Sequence, residues 1–302
     1  MTEKKNPAAV QTSGDKSPIS GTGRAASQLK VFIQGIEGSF HQIAARKFFG
    51  EEVSVICCNT FREVIAGASI TDTDTYAVMA IENSIAGSIL PNYNLLHQGR
   101  MVITGEIYLQ IRHNLLAYPG NNIEDIREVH SHTMALQQCY DFLDHHPWKL
   151  VETEDTALSA RNIQHDKSRH TAAIASTLAA ELYGLEILAS DIHTLKNNYT
   201  RFLVLQHEEM DRPSIQADKA SVTFHTDHSK GSLARVLDRI AVGGINLSKL
   251  QSFPIPGTDF KYAFHADMEF DSLHQFERVI ESLRSITESL RIYGEYRKGG
   301  FY

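Results

Sequence analysis

Apolar positions in this chain come in short runs separated by polar turns, and their spacing changes character about two thirds of the way along. Residues 1–28 hold almost no large apolar side chain. Such a segment cannot bury enough surface to offset the entropy lost on ordering, so it is expected to be a disordered tail. A strand is predicted over 29–33, stopped by Gly35, and a helix over 41–49. Strand signals follow at 53–56, 76–81, 172–174 and 201–206, and an extended stretch over 105–118 ends at Pro119-Gly120. Helical spacing recurs over 61–68, 135–143 and 156–164. In a further helix Ile174, Leu178 and Leu182 share one face, with Ala175 and Ala179 beside them and Gly184 as the stop. This alternation predicts α/β layers around a mainly parallel sheet, or two such sheets.

Residues 208–218 are polar and include Pro213, and a domain boundary is expected there. Beyond it the pattern differs. A strand over 220–225 precedes a helix whose Leu233, Val236, Leu237 and Ile240 share a face. A strand over 245–253, a turn at Pro256-Gly257 and a strand over 262–270 follow. A helix carrying Leu273, Phe276, Ile280, Leu283 and Leu290 then leads to a closing strand over 291–296. The order βαββαβ is that of a ferredoxin-like sandwich.

Composition narrows the function classes. The chain has 302 residues, 42% hydrophobic and 22% charged, enough for two or three domains of an ordinary globular protein. The net charge of -7 is spread over both signs with no basic run, so a nucleic-acid partner is not expected. No apolar stretch is long enough to span a membrane, and no secretory signal is visible. Cys57, Cys58 and Cys139 make no disulfide framework. They are read as small buried hydrophobes in a reducing, cytoplasmic setting.

P-loop, dinucleotide-binding, zinc-protease and nucleophile-elbow signatures are absent. His130 with His132, and His145 with His146, bring no third and fourth ligand at a known spacing, so no metal is expected. What the first two thirds do carry is a series of polar turns at strand–helix junctions: Gly35 to Phe40, Glu82 to Ser88, Ser131-His132-Thr133, Asp155-Thr156 and Asn197 to Phe202. Glycines admit a ligand close to the backbone, while Ser, Thr and Asn cap helices and offer donors. Helix N-termini attract anions, and ligands in open α/β sheets settle at the carboxyl ends of strands. These turns point to a pocket for a small polyanion, although capping alone accounts for any single one of them.

Over residues 30–297 the chain resembles the prephenate dehydratase family. The matching pieces are Gly35-Ile36-Glu37-Gly38-Ser39-Phe40-His41, Ala80-Ile81-Glu82-Asn83-Ser84-Ile85-Ala86-Gly87, Ser131-His132 with Gln138-Cys139, and Asn198-Tyr199-Thr200-Arg201-Phe202, in the family's order and spacing. The resemblance implies an α/β fold. Residues 29–207 would form a two-lobed, periplasmic-binding-protein-like catalytic domain with a cleft, 208–218 a linker, and 219–302 a βαββαβ ferredoxin-like ACT regulatory domain.

The implied reaction expels CO2 and the ring hydroxyl of prephenate together to give phenylpyruvate. Aromatisation drives it, so no cofactor is expected. Hydroxide leaves poorly, so the protein must supply a proton or a strong hydrogen bond and hold the breaking bond in line with the diene. By resemblance, Thr200 makes the leaving-hydroxyl contact, as a positioned donor. Asn83, Ser84, Gly87, Ser131, His132, Asn198, Arg201 and Phe202 are assigned to substrate binding, and Gly38, Ser39 and Phe40 close one side of the cleft. Arg201 has two readings, a fork on a substrate carboxylate or a brace on Glu82 or another acid. His132 also has two, donor to substrate or cap.

The family's effector is L-phenylalanine, bound by ACT domains at a subunit interface. The stretches framing that site correspond to Gly231, Ser232, Leu233 and Ala234 and to Gln251, Ser252, Phe253 and Pro254. Gln251 and Phe253 stand where the family carries Glu and Arg, so the usual charged couplings cannot form there. A homodimer or homotetramer and a monofunctional enzyme are expected. The alternatives are an arogenate dehydratase, which a nearby acid would favour, and a non-catalytic sensor of small anions.

Overall fold

A computed structural model describes residues 29–69, 74–210, 216–227, 229–255, 257–258 and 261–302. The expected tail, part of the polar linker with Pro213, and Pro256 of the expected turn lie outside these residues.

In chain order the first part comprises β1 (Lys30–Gln34), α1 (Phe40–Phe49), β2 (Ser54–Cys58), α2 (Phe61–Ala68), β3 (Thr75–Asn83), β4 (Gly87–Ser88), α3 (Leu90–Gln98) and β5 (Met101–Gln110). A second group runs β6 (Asn114–Ala117), β7 (Glu128–His132), α4 (Thr133–Gln138), α5 (Tyr140–Leu143), β8 (Lys149–Thr153), α6 (Thr156–Asp166), β9 (Thr171–Ala175), α7 (Thr177–Tyr183) and β10 (Glu186–Ala189). The chain then returns through β11 (Tyr199–His207) to the first group. The last elements are β12 (Lys219–His225), α8 (Ser232–Val242), β13 (Asn246–Pro254), β14 (Tyr262–Glu269), α9 (Leu273–Arg284) and β15 (Ser289–Tyr296).

Helix starts follow local capping. Ser39, Thr60, Asp155, Ser176 and Ser272 are extended residues whose side chains accept from an N–H of the first turn. Pro91 occupies the first turn of α3, where its missing N–H costs nothing.

Three sheets result. The first runs β2-β1-β3-β11-β5 with β4 beside β3; the second runs β10-β6-β9-β7-β8; the third runs β13-β14-β12-β15. In the first, β1, β2 and β3 are parallel, but β11 is antiparallel to both β3 and β5. In the second, β7, β8 and β9 are parallel, while β6 is antiparallel to both β9 and β10. Both sheets are therefore mixed rather than mainly parallel: in the first, β5 runs with β1, β2 and β3, and the returning β11 inserts between β3 and β5 against them; in the second, β6 runs against both its neighbours.

The first two sheets form two lobes. The chain crosses between them at residues 111–113 and returns at 190–198, and the crossings are tied by Ile111 N to Asn198 O at 2.7 Å and Ile192 N to His113 O at 2.8 Å. The stretch expected as one extended piece over 105–118 is thus two strands of different sheets. Strand β11 shows how the layers separate. Phe202 and Val204 pack with α1, while Leu203 and Leu205 pack with α2, α3 and the rings of Phe253, Tyr293 and Tyr296. The third sheet, all antiparallel, takes α8 and α9 on one face and lies on the first lobe with the other. The approach is close: a Cβ on Gly294 of β15 would stand 2.0 Å from the carbonyl oxygen of Ile103 in β5, so only glycine fits. No described helix is long and apolar enough to cross a membrane.

In α7 the residues buried are Ala179 and Ala180, while Leu182 is exposed and Ile174 and Ala175 belong to β9. The expected leucine face is displaced because this helix meets the other lobe closely. A Cβ on Gly38, at φ +87°, would lie 3.0 Å from Ala179 Cα. Of the cysteines, Cys139 is buried as expected, but Cys57 is exposed.

Candidate active site

The turns singled out in the sequence meet where the lobes face each other. Register carries Thr200 of β11 opposite Asn83 of β3. The Asn83 amide nitrogen donates to Thr200 Oγ1 at 3.0 Å, to Asn198 Oδ1 at 2.8 Å and to the Tyr199 carbonyl at 3.2 Å. Its oxygen accepts from the backbone N–H of Ile85 at 3.0 Å and of Ala86 at 2.9 Å. Ser84 clamps the same corner: its hydroxyl donates to Asn197 O at 3.0 Å and accepts from Tyr199 N at 2.9 Å. Gly87, at φ +83°, pairs with Asn83 as the chain doubles back.

From Asn198 the network reaches the second lobe. Asn198 Nδ2 donates to Gln138 Oε1 at 2.8 Å, and His113 Nε2 lies 3.0 Å from the same oxygen. Asn83, Asn198, His113 and Thr200 are all buried, Thr200 being 9% exposed. Among the described residues no side chain accepts from Thr200. Its oxygen is already an acceptor from Asn83, so its proton is free to be donated.

The opposing wall is lobe-to-lobe contact. Ser39 caps α1, and Gly38 N donates to Gln42 Oε1 at 2.7 Å. Gly38 O accepts from Ser176 Oγ at 2.7 Å, and Glu37 O accepts from the Tyr183 hydroxyl at 2.7 Å. The Phe40 ring stands edge-on to His113, with centroids 5.5 Å apart. Asp155 caps α6 beside Gly35. Burial raises its carboxyl above the ordinary range despite the backbone N–H groups it accepts from.

Of four residues assigned to substrate binding, Arg201 and His132 take the second of their two readings, and Phe202 and Ser131 make structural contacts. Arg201 is 4% exposed and turned to the third sheet, away from Thr200. It binds Glu106 through Nε at 2.7 Å, Asp267 through Nη1, and the Tyr296 hydroxyl at 3.1 Å. It is therefore a brace rather than a substrate fork, and its acids are not Glu82, which pairs with Lys249 of β13. Phe202 is core: buried, with its ring edge-on to His41 at 4.9 Å. Burial holds that imidazole down to about 3, so it packs as a neutral ring. Ser131 is fully buried and donates to the Ile174 carbonyl at 2.7 Å, joining β7 to β9 instead of facing a ligand. His132 takes the capping role, its Nδ1 accepting from Met134 N at 3.2 Å. The other tempting histidines are similarly occupied, His130 with Glu128 and His146 stacked on Trp148.

The sequence reading did not assign His113, although it sits in the same network; an extended Ile111-Arg112-His113 carries no local signal of a site. Gln138 was quoted within a motif but given no role.

The two stretches expected to frame an effector site line separate crevices of the third sheet. Ser232 and Leu233, with Lys230 and Tyr262, line a crevice of about 260 Å³. Phe253 and Pro254 line another, of about 370 Å³, together with His97, His225 and Arg291. Phe253 is buried against Tyr93 and His97, and Gln251 Oε1 accepts from Ser88 Oγ at 3.1 Å.

Two mixed sheets joined by two crossings, with amide and hydroxyl groups gathered between them, make a two-lobed α/β protein. Comparison with known proteins narrows this. The prephenate dehydratase profile matches residues 31–210. The chain is 34% identical to arogenate dehydratase/prephenate dehydratase 1, chloroplastic, of Arabidopsis thaliana over 285 residues, 89% of this chain and 72% of that protein. Prephenate dehydratase from Arthrobacter aurescens, solved in complex with L-Phe, superimposes with a TM-score of 0.80 at 26% identity, covering 89% of this chain and 90% of that one. GqqA, described as a novel type of quorum quenching acylase, gives a TM-score of 0.80 at 28% identity, covering 88% and 97%. The chain belongs to the prephenate dehydratase family. It is a prephenate or arogenate dehydratase, a lyase of aromatic amino acid biosynthesis.

Proposed function

We propose that the protein dehydrates and decarboxylates prephenate to phenylpyruvate, with Thr200 as the donor to the departing ring hydroxyl. The carrying observation is the direction of one hydrogen bond. Asn83 Nδ2 donates to Thr200 Oγ1, so the threonine proton is committed to no described side chain. A neutral threonine is a weak acid, and its contribution is a bond that strengthens as negative charge develops on the leaving oxygen. Asn83 and Asn198, whose amides bond one another, hold that hydroxyl in place. Donors left over on the surrounding turns, including the Gln138 amide nitrogen, bind the carboxylates. The test is turnover of prephenate and arogenate side by side, followed by phenylpyruvate absorbance and by phenylalanine formation. Thr200→Val keeps the shape and removes the donor. It is expected to lower kcat by about a hundredfold or more with KM little changed. An unchanged kcat in a folded variant removes Thr200 from the mechanism.

Prephenate is preferred to arogenate on the chemistry of this network: the groups around Thr200 are amides and a hydroxyl, and among the described residues no carboxylate is bonded into them to hold an ammonium. An acid of the cleft wall, Asp155, is raised by burial and spends one oxygen capping α6. Acyl transfer, the activity in the name of one structural neighbour, would require a base accepting from Thr200, and none of the described residues does so.

The third sheet with its helices is read as an ACT domain through which L-phenylalanine inhibits, with the crevice beside Ser232 and Leu233 as one half of a site completed by a second subunit. Support comes from the L-Phe complex of the Arthrobacter enzyme. Phenylalanine added to the turnover assay is expected to inhibit. Gln251 and Phe253 weaken the response relative to relatives with charges there.

A further inference from the structure

We propose that His113 is a positioning residue for this reaction. By donating to Gln138, its imidazole pins the second-lobe end of the chain of amides that reaches the Thr200 hydroxyl. The proposal rests on the dehydratase reading of Thr200.

The chain of amides has an end at which direction is not free. The backbone N–H groups of Ile85 and Ala86 can only donate, and both reach Asn83 Oδ1. The Asn83 amide nitrogen must then face Asn198 Oδ1 and Thr200 Oγ1. Asn198 is left with its own nitrogen toward Gln138 Oε1, at 2.8 Å. That oxygen is an acceptor, so the imidazole nitrogen 3.0 Å from it, His113 Nε2, has to donate. Neutral His113 therefore carries its proton on Nε2, and Nδ1, buried and without a protein partner among the described residues, is bare.

Two consequences follow for the cleft. Gln138 is a long side chain on the last turn of a short helix, and a single bond to its oxygen would leave the amide free to turn over. Two donors converging on Oε1 lock it, and its Nε2 hydrogens remain unspent. Asn198 Nδ2 in turn keeps a fixed acceptor in the second lobe, which holds its carbonyl oxygen against Asn83 beside Thr200. The imidazole is itself well held: it is 2% exposed, lies between the rings of Phe40 and His193, and sits at the crossing of the two inter-lobe connections. Burial holds it down to about 4, so near neutral pH it keeps a single donor.

Two substitutions separate the donor from packing. His113→Phe keeps an aromatic ring beside Phe40 and loses the donor; His113→Gln loses the ring and keeps an N–H. In steady-state assays with prephenate and arogenate, His113→Phe is expected to lower kcat about tenfold with KM changed by less than about threefold, while His113→Gln keeps kcat within about threefold. A phenylalanine variant with wild-type kcat, or a glutamine variant as slow as the phenylalanine one, overturns the proposal. If wild-type protein turns over neither substrate, the dehydratase reading itself falls. A readout that needs no variant is the histidine nitrogen–proton correlation spectrum of the wild type. It is expected to show His113 as the neutral tautomer protonated at Nε2, and protonation at Nδ1 overturns the proposal.

Discussion

Replacing Asp267 by asparagine tests the electrostatic core that joins the third sheet to the first lobe. Arg201, Glu106, Lys219 and Asp267 have side chains between 0% and 4% exposed. Two positive and two negative charges thus balance in the buried interior. Lys219 Nζ lies 2.9 Å from Glu106, Ser221 donates to Asp267, and Tyr296 bonds both Ser221 and Arg201. The amide would preserve the shape of the carboxylate but leave Arg201 and Lys219 facing Glu106 as their one fully buried acid, with the partly exposed Glu269 3.9 Å from Lys219 as the other negative charge in reach. Breaking a buried pair by removing one partner costs about 3–5 kcal/mol. For a chain of this size that is a fall in Tm of roughly 10 °C. The carboxyl is pushed up by burial, but Arg201 and His265 outweigh this and hold it well below the ordinary range. Its stabilising contribution is therefore full above the unfolded value of about 3.9 and is lost only as pH falls through the lower folded value. Urea unfolding of wild type and Asp267→Asn should differ by the same amount at pH 7 and pH 5. The pair Arg201→Met with Asp267→Leu, which leaves Glu106 and Lys219 balanced, should cost less than Asp267→Asn alone. A single variant within about 1 kcal/mol of wild type, or a double variant worse than the sum of its parts, refutes the argument.

Two further perturbations probe the cleft and the chain end. Gly38→Ala places a Cβ against Ala179 at a backbone angle that favours glycine, and it is expected to cost about 1–2 kcal/mol and to raise KM by holding the lobes apart; an unchanged melting temperature and KM would show that α7 yields freely. Deleting residues 299–302 removes the acceptors Gly300 O and Tyr302 O from the Tyr108 and Gln110 amides at the edge of β5, and the Phe301 ring stacked on Tyr108 at 4.6 Å. Hydrogen exchange at those two amides should become fast while the rest of β5 stays protected, and slow exchange in the truncated chain would mean that other groups protect that edge.

Elements were legible where a polar cap adjoined a periodic apolar run, as at Thr60 before Phe61–Ala68 or Ser272 before Leu273–Arg284. The βαββαβ order at the C-terminus was readable for the same reason. Strands β7, β8 and β10 escaped because His130, His132, Lys149, Glu152 and Glu186 interrupt their apolar content; β8 and β10 are the two edges of the second sheet, and β7 lies beside β8. The break at 111–113 left no mark, since Ile111-Arg112-His113 needs no turn residue to pass from one sheet to the next. The pieces of the site could be read in order but not in contact. Asn83 and Thr200 are 117 positions apart, and only the antiparallel return of β11 sets one against the other. Arg201 is the sharpest case. Its partners come from β5, β14 and β15, and a charged residue beside a catalytic one gives no local sign of which way it points.

The run Asn198 to Phe202 is better understood as three jobs than as one binding motif. Strand alternation sends Arg201 to the face covered by the third sheet, and sends Thr200 and Phe202 to the other. Phe202 is anchored in the α1 layer against His41, which fixes the strand from below. Arg201 is gripped from above by Asp267 of β14 and Tyr296 of β15. Thr200, between these anchors and Asn198, has little freedom to shift along or across the sheet. The same holds one strand away, where Glu82 is bound by Lys249 of β13 and Asn83 follows directly. Asn83 and Thr200 thus each have a chain neighbour bonded to the third sheet. A displacement of that sheet by even a fraction of an ångström must be taken up at Glu82 and Arg201, and the Asn83–Thr200 hydrogen bond lies one residue from both.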